Sequence, residues 1–347
     1  MENLLGFTLE RMREEFLKRG QSQYRAKQVF NWIYQRGILS FDAMTDVSKA
    51  FREELKRDFC LALPTVFAKQ EGNDGTIKLL LQMDDGSKVE EVMMPYDYGS
   101  PICVSSEVGC SMGCAFCASG LLKKKRGLSA SEMVGELLVM NQVLSPYGLR
   151  ATHINVMGTG EPFDNYEAVM DFIRIANAQE GLAIGARHIT VSTCGLPDGI
   201  RRYGKEGLQT NLAISLHAPN DAIRNRIMPI SRAFPLDKLI DAIKDYLSSS
   251  GRRVTFEYIL LDGLNDSDEC ADELSSLIRD NGLFAYVNLI PYNEVKEMPF
   301  RRSKRVKQFH DRLLRKGINA TVRKEFGGGI DAACGQLRVK VERGNGG

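Results

Sequence analysis

Three cysteines within one short segment carry the clearest chemistry in the chain. Cys110, Cys114 and Cys117 stand in Gly109-Cys110-Ser111-Met112-Gly113-Cys114-Ala115-Phe116-Cys117, a C-x3-C-x2-C spacing. Three thiolates can hold three irons of a cubane [4Fe–4S] cluster and leave the fourth iron without a protein ligand. An open iron can bind a substrate or a cofactor. Zinc fits the spacing less well, because it usually takes four ligands in paired Cys or Cys/His sets. His153, the nearest histidine downstream, falls in a strand-like segment. Zinc and plain buried thiols remain the alternatives to a cluster.

Further polar residues recur where strands should end. Val156-Met157-Gly158-Thr159-Gly160-Glu161-Pro162 closes one strand-like run. It lacks the third glycine of a dinucleotide-binding loop. Its glycines let backbone approach a ligand closely, and Glu161 can accept a hydrogen bond from a cationic amine. Ser192-Thr193-Cys194-Gly195 and Ser215-Leu216-His217 end the next two runs in the same way. One such loop is ordinary; three in succession behind a cysteine loop form a ring facing one pocket. Near the end of the sequence, Cys334 lies in Phe326-Gly327-Gly328-Gly329-Ile330-Asp331-Ala332-Ala333-Cys334-Gly335-Gln336-Leu337. Its spacing fits either a thiol swinging into a site or a buried one, and Cys103 can equally be core.

These residues need elements to position them. Strand patterns fall at 102–108, 153–157, 188–193, 211–216, 254–261, 286–290 and 320–324, with helical patterns between them. Ser129 and Glu132 form a capping-box signature before the apolar face of a 129–144 helix. Other helices are expected at 164–178, 236–247, 267–280 and 303–316. Repeated strand–helix units imply parallel strands with right-handed crossovers. Six or seven are too few for an eight-fold barrel, so the expected fold class is α/β, a partial (β/α)6 barrel. Its chemistry would sit at the C-terminal strand ends. Residues 1–62 read as a small N-terminal helical accessory domain, with Trp32 in its core. Residues 63–98 read as a short β linker with turns at Gly72–Gly75 and Asp84–Gly86. The barrel is placed at 99–325 and a glycine-rich tail at 326–347.

Composition bounds the rest. The chain has 347 residues, of which 43% are hydrophobic and 26% charged, enough for one large core and a small extra domain. Nothing at the N-terminus has a signal-peptide layout, and no apolar run approaches membrane-spanning length. The eight cysteines are therefore expected in a reducing cytoplasm, where metal binding or catalysis outranks structural disulfides. A net charge of +2 does not announce a nucleic-acid binder, but local clusters matter more than the sum. Lys123–Arg126 adjoins the cysteine loop, and Arg301, Arg302, Lys304, Arg305 and Lys307 form a second basic run. Each fits a solvated face as readily as a binding one.

The combination of C-x3-C-x2-C with Met157–Pro162 resembles the radical S-adenosylmethionine (SAM) superfamily. Five segments together resemble the RlmN/Cfr family of RNA adenine methyltransferases: 103–110, 157–162, Ser215–Asn220, Asn288–Asn293 and Asp331–Leu337. The resemblance covers nearly the whole chain, Tyr24–Gln28 included. It implies that Cys110, Cys114 and Cys117 hold a [4Fe–4S] cluster, and that SAM chelates the open iron. It matches Gly160, Glu161, Ser192, Ser215, Leu216, His217 and Asn293 to SAM contacts. One SAM is implied to methylate Cys334. A second is cleaved to a radical that takes hydrogen from that methyl group, and the resulting carbon radical adds to adenine. Cys103 then releases the product by forming a disulfide with Cys334, and Glu90 is the proton acceptor; its neighbour Glu91 is one residue out of register.

Implied partners are 23S rRNA, tRNA and an external one-electron reductant such as flavodoxin or ferredoxin. The protein is expected to be a monomer and not membrane-bound. Glu161–Asn165 and Arg187–Ser192 resemble the RlmN branch, which methylates C2 of adenosine 2503 in 23S rRNA and C2 of adenosine 37 in some tRNAs. The alternative is the Cfr branch, which methylates C8 of the same rRNA adenosine and gives antibiotic resistance. Cys194, where serine is common, and Thr159, where methionine or isoleucine is frequent, depart from the family pattern. No role is assigned to Cys60, Cys194 or Cys270.

Overall fold

Alternation of apolar strands with capped amphipathic helices builds the molecule in strict chain order. The structure is a computed structural model that describes residues 1–295, 297–327 and 337–338. Three helices open the chain: α1 (Leu9–Lys18), α2 (Gln23–Tyr34) and α3 (Lys49–Asp58). The Thr8 hydroxyl accepts the Arg11 N–H, and the Ser48 hydroxyl the Phe51 N–H, so both ends are capped as their residue types favour. Met12, Phe16, Phe30, Phe51 and Leu55 form their shared core, with the Phe16 and Phe51 rings packed edge-on at 4.9 Å. Trp32 differs from expectation. It is only half-buried: its indole N–H donates to Asp46 at 2.6 Å, and Arg36 lies 4.0 Å over its ring.

Ten strands then form one sheet: β1 (Thr65–Glu71), β2 (Ile77–Gln82), β3 (Lys88–Met93), β4 (Ser100–Val104), β5 (Ala151–Val156), β6 (Ile189–Thr193), β7 (Asn211–Ser215), β8 (Val254–Leu260), β9 (Ala285–Pro291) and β10 (Ala320–Val322). Among the described residues each pairs only with its neighbours in this order, and β1 and β10 are the edges. Strands β4 to β10 are parallel. The crossovers between them carry helices α4 (Ala130–Leu144), α5 (Tyr166–Asn177), α6 (Pro197–Gly204), α7 (Asp221–Ile227), α8 (Leu236–Ser250), α9 (Asp268–Asp280) and α10 (Val306–Arg315). Six crossovers and a seventh parallel strand make the expected open (β/α)6 arrangement. Ser129 and Glu132 form the capping box of α4.

Strands β1 to β3 are antiparallel and continue the main sheet through β4. The segment expected as a linker thus extends the barrel wall. The chain also returns across the open side. Phe326 packs on Tyr96 at 4.5 Å, Gly327 N–H donates to Asp74, and Arg338 N–H donates to Glu90. Among the described residues no helix is long and apolar enough to cross a membrane.

Candidate active site

One strand was expected over 102–108, but β4 stops at Val104. The N–H groups of Ser106 and Glu107 both donate to the Thr159 carbonyl at the end of β5. That interaction turns the chain. Glu107–Val108 then pairs antiparallel with Arg126–Gly127, pinching off the segment that carries the three cysteines. Gly109 sits at φ +84°, where a side chain would collide with the Lys123 carbonyl. Inside the loop, Cys110 N–H donates to the Leu122 carbonyl at 3.1 Å and Ala115 N–H to the Ile227 carbonyl of α7 at 2.8 Å. The basic run nearby divides. Arg126 pairs with Glu132 and Asp85, and Lys124 pairs with Glu107 and Asp164, while Lys123 and Lys125 stay exposed.

The expected ring of strand ends closes over this loop. Gly160 has φ +113°, and a Cβ there would lie 2.5 Å from Glu107 Cγ and 2.7 Å from Ser106 Oγ, so only glycine fits. The Glu161 carboxylate is buried and spans two strand ends. Oε1 accepts the Phe163 N–H and Oε2 the Cys194 N–H at 2.7 Å. Burial pushes its pKa above the usual range. Ser192 and Ser215 stand side by side on β6 and β7, hydroxyl to hydroxyl at 3.5 Å, and both are half-buried. Leu216 and His217 give their N–H groups to the Glu257 carbonyl of β8. His217 adopts φ +57°, and its Nδ1 accepts the Ile259 N–H, which leaves the ring proton on Nε2. Burial, with the nearby Arg224 charge, lowers its pKa to about 3, so the ring is neutral. Asn293 lies just past β9 and is exposed.

Strand pairing separates Glu90 from Glu91. Val92 stands opposite Cys103, so Glu90, Val92, Met94 and Cys103 share one sheet face. On it Cys103 packs with Val92, Met94, Met157 and Phe326. Glu90 is ion-paired there with Lys78 at 2.9 Å, both side chains almost wholly enclosed. Glu91 points the other way, beneath α4, where burial and the neighbouring Glu136 push its pKa well up. Lys78 was not foreseen, although a lysine inside Ile77-Lys78-Leu79-Leu80-Leu81 was the available signal. Asn288, which donates to both carboxylate oxygens of Glu257 inside the barrel, was noted only as part of a motif. Cys334 lies outside the described residues. No two described cysteines are joined by a disulfide.

Known proteins match this arrangement over its full length. Residues 2–61 match the ribosomal RNA large subunit methyltransferase N-terminal domain, and residues 104–274 the radical SAM superfamily. A probable dual-specificity RNA methyltransferase RlmN of Spiroplasma citri is 48% identical over 342 residues, covering 99% of each chain. The protein of the same name from Enterococcus faecalis is 48% identical, covering 98% of this chain and 96% of that one. The chain belongs to the RlmN family of radical SAM methyltransferases. The crystal structure of a radical SAM methyltransferase from Sphaerobacter thermophilus superposes with a TM-score of 0.90 at 43% identity, covering 97% of this chain and 99% of that one.

Membership of the RlmN family implies a [4Fe–4S] cluster and SAM, and the donor set suits both. Burial pushes the Cys110 thiol up to about 12 and Cys114 higher, and the closeness of the Cys117 charge adds to each. Thiolates in that setting need positive charge beside them, which iron provides. Among the described residues no three His, Cys, Asp or Glu side chains converge as ligands of a single ion would. A cubane makes no such demand, since each thiolate takes its own iron. On the SAM side, Ser192, Ser215 and Asn293 keep side-chain polar groups accessible. Glu161, Leu216 and His217 are already tied to the frame.

Proposed function

We propose that this protein methylates C2 of adenosine 2503 in 23S rRNA, and C2 of adenosine 37 in tRNAs, through a methylated Cys334. The reading is carried by one observation. The face bearing Cys103 also bears Glu90, and Arg338, four residues past Cys334, donates its N–H to Glu90 at 2.5 Å. A thiol and a carboxylate on one wall, with the chain four residues past a second thiol hydrogen-bonded to that carboxylate, supply the parts that a covalent route to an adenine carbon requires. The amidine carbon of adenine is itself electrophilic, so simple displacement of a methyl group from SAM is closed to it.

When bound, the cluster and SAM supply a methyl group and one-electron chemistry. The chain's own residues do the rest. Cys110, Cys114 and Cys117 would hold the cluster, and Ser192, Ser215 and Asn293 would orient SAM within the frame that Gly160, Glu161, Leu216 and His217 build. Cys334 would carry the methyl carbon to the base and join it covalently. Glu90, with Lys78 as its counter-ion, would accept the proton leaving the adenine carbon. Cys103 would attack the Cys334 sulfur, forming an S–S bond as the S–C bond breaks; the electron pair goes to the departing carbon, which takes a proton to complete the methyl group. Two SAM are consumed per turnover, and an external reductant such as flavodoxin or ferredoxin supplies the electron for SAM cleavage and the two that return the Cys103–Cys334 disulfide to thiols. The target adenine must leave its stack to reach the barrel. Residues 1–62 and the basic runs would grip the RNA backbone, and the protein would work as a cytoplasmic monomer.

The test is mass spectrometry of rRNA and tRNA from a host lacking its own enzyme and carrying this gene. C2-methyladenosine at both positions is expected. C8-methyladenosine, or an unmodified rRNA position, would refute the reading.

A further inference from the structure

A buried cation with no ion-paired acid stands on the helix that ends against the cysteine loop. Arg224 on α7 is wholly enclosed. Its Nη2 donates to the Cys194 carbonyl at 2.6 Å and, at 3.4 Å, to the Ser215 carbonyl; Nε donates to the Leu216 carbonyl at 3.2 Å. Nη1 is buried and has no hydrogen-bond partner. These acceptors are neutral. Another buried cation, Lys78, has Glu90; among the described residues no carboxylate makes an ion pair with Arg224. Asp221, one turn back, accepts the Leu236 N–H on Oδ1. A guanidinium keeps its charge in proteins, and a charge taken out of water needs a partner of opposite sign.

The surroundings say where that partner belongs. Helix α7 ends against the cysteine loop, with Ala115 N–H on the Ile227 carbonyl. Ile223, Ile227 and Met228 pack in one group with Cys114, Phe116 and Cys194. Burial lowers the Arg224 pKa, and the nearness of Cys194, Cys114 and Asp221 opposes that shift. Cys114 is one of the three cluster ligands of the proposed function. A cubane on three thiolates is a net anion, and reduction adds one further negative charge.

We infer that Arg224 is the resident counter-ion of the cluster, and that its charge makes the cluster easier to reduce. This rests on the family reading that a cluster occupies the loop. Net charge beside a cluster is among the factors that set its potential. The carbonyl bonds fix the guanidinium under the loop, and the unpartnered Nη1 leaves it a donor to spare. Arg224 acts through the cluster and is a charge-balancing residue.

The test uses the full chain, reconstituted anaerobically with iron and sulfide and kept free of SAM. The midpoint potential is read by EPR during titration with dithionite, for the natural protein, Arg224→Gln and Arg224→Lys. Arg224→Gln should be at least tenfold harder to reduce, about 59 mV for one electron. Arg224→Lys, which keeps the charge and loses the fork, should stay close to the natural protein. Iron-free Arg224→Gln should melt no lower than the iron-free natural chain, because the cation has no counter-charge there.

An unchanged potential in Arg224→Gln overturns the inference. If SAM affinity, measured separately, has then fallen tenfold, Arg224 serves the SAM carboxylate instead. If only the iron-free melting temperature falls, it is a carbonyl clamp. Should Arg224→Gln fail to hold a cluster, Arg224→Lys decides. Retention at near-natural potential supports the inference, and equal failure overturns it. Methyl transfer continuing beside an unchanged potential would remove the inference and leave the proposed function standing. A natural protein that assembles no cluster would remove the proposed function itself.

Discussion

Gly109→Ala should empty the cysteine loop while leaving the rest of the molecule folded. A Cβ on residue 109 would lie 2.2 Å from the Lys123 carbonyl oxygen, 2.6 Å from its carbon and 2.8 Å from the Leu122 oxygen. All three are backbone atoms, and the Cys110–Leu122 and Lys125–Val108 hydrogen bonds hold them in place. The residue also sits at φ +84°. A side chain in the left-handed region costs about 1–2 kcal/mol, and forced backbone displacement adds about 1–3 kcal/mol. At 1.4 kcal/mol per factor of ten, the sum favours an opened loop by roughly 30-fold to 4,000-fold. Gly113→Ala is the control. Its φ is +65°, but the nearest atom to the new Cβ is Pro229 Cγ at 3.7 Å, so only the backbone term applies. The assay is anaerobic reconstitution, followed by iron and sulfide analysis and the rate of cluster loss to a chelator. Gly109→Ala should lose its cluster roughly 5-fold to 140-fold faster than Gly113→Ala, from the about 1–3 kcal/mol by which the two differ, and both should unfold near the natural temperature. Equal retention by the two variants would refute the steric reasoning.

Other perturbations test separate parts of the frame. Glu91 is fully buried with both carboxylate oxygens unpartnered, and Glu136 beside it uses one oxygen on the Ser105 N–H. Both pKa values are raised by burial, so the folded chain binds more protons than the unfolded one, and stability falls as pH rises above the carboxylate range. Glu91→Gln should therefore raise the melting temperature at pH 8 and change it little at pH 4, near the model-peptide value of about 4.3; equal effects at both would count against a shifted carboxyl. His217→Asn keeps a residue that tolerates positive φ, and since the natural ring is neutral at working pH, the shape of the pH–rate profile should not change. Cys334→Ala should keep the cluster and SAM binding and lose all methyl transfer, with residual methylated product as the contrary result. Cys103→Ala should trap an RNA–protein adduct on denaturing gels, and free RNA alone would dismiss its resolving role.

The parts legible in the sequence were those set by local rules. The capping box at Ser129 and Glu132, the Asp84–Gly86 turn and the alternation of β4 to β10 with helices all depend on residues a few positions apart. The cysteine spacing is equally local. What the sequence concealed was decided by distant partners. The break after Val104 is made by Thr159, and the choice between Glu90 and Glu91 rests on which face pairs with Cys103. Residues 63–98 read as a linker because a meander's strands carry no mark of the neighbour they will join. Trp32 read as core because its Asp46 partner lies fourteen residues on, beyond the helix that carries it. Arg224 passed unnoticed, since nothing around it in sequence distinguishes a buried arginine from a solvated one.

Among the described residues the sheet has two unpaired edges, β1 and β10. An open sheet offers a template for a foreign strand at each end. At one end β10 is only three residues long, Ala320–Val322. At the other, the β1–β2 register shifts between Val66 and Ala68, so Phe67 is an extra residue in the ladder. Such a bulge twists an edge and spoils its spacing for another strand. Lys88 from β3 also lies 4.3 Å over the exposed Phe67 ring, placing a charge on that edge's most apolar point. Both edges of the open sheet are thereby poorly suited to addition of a further strand.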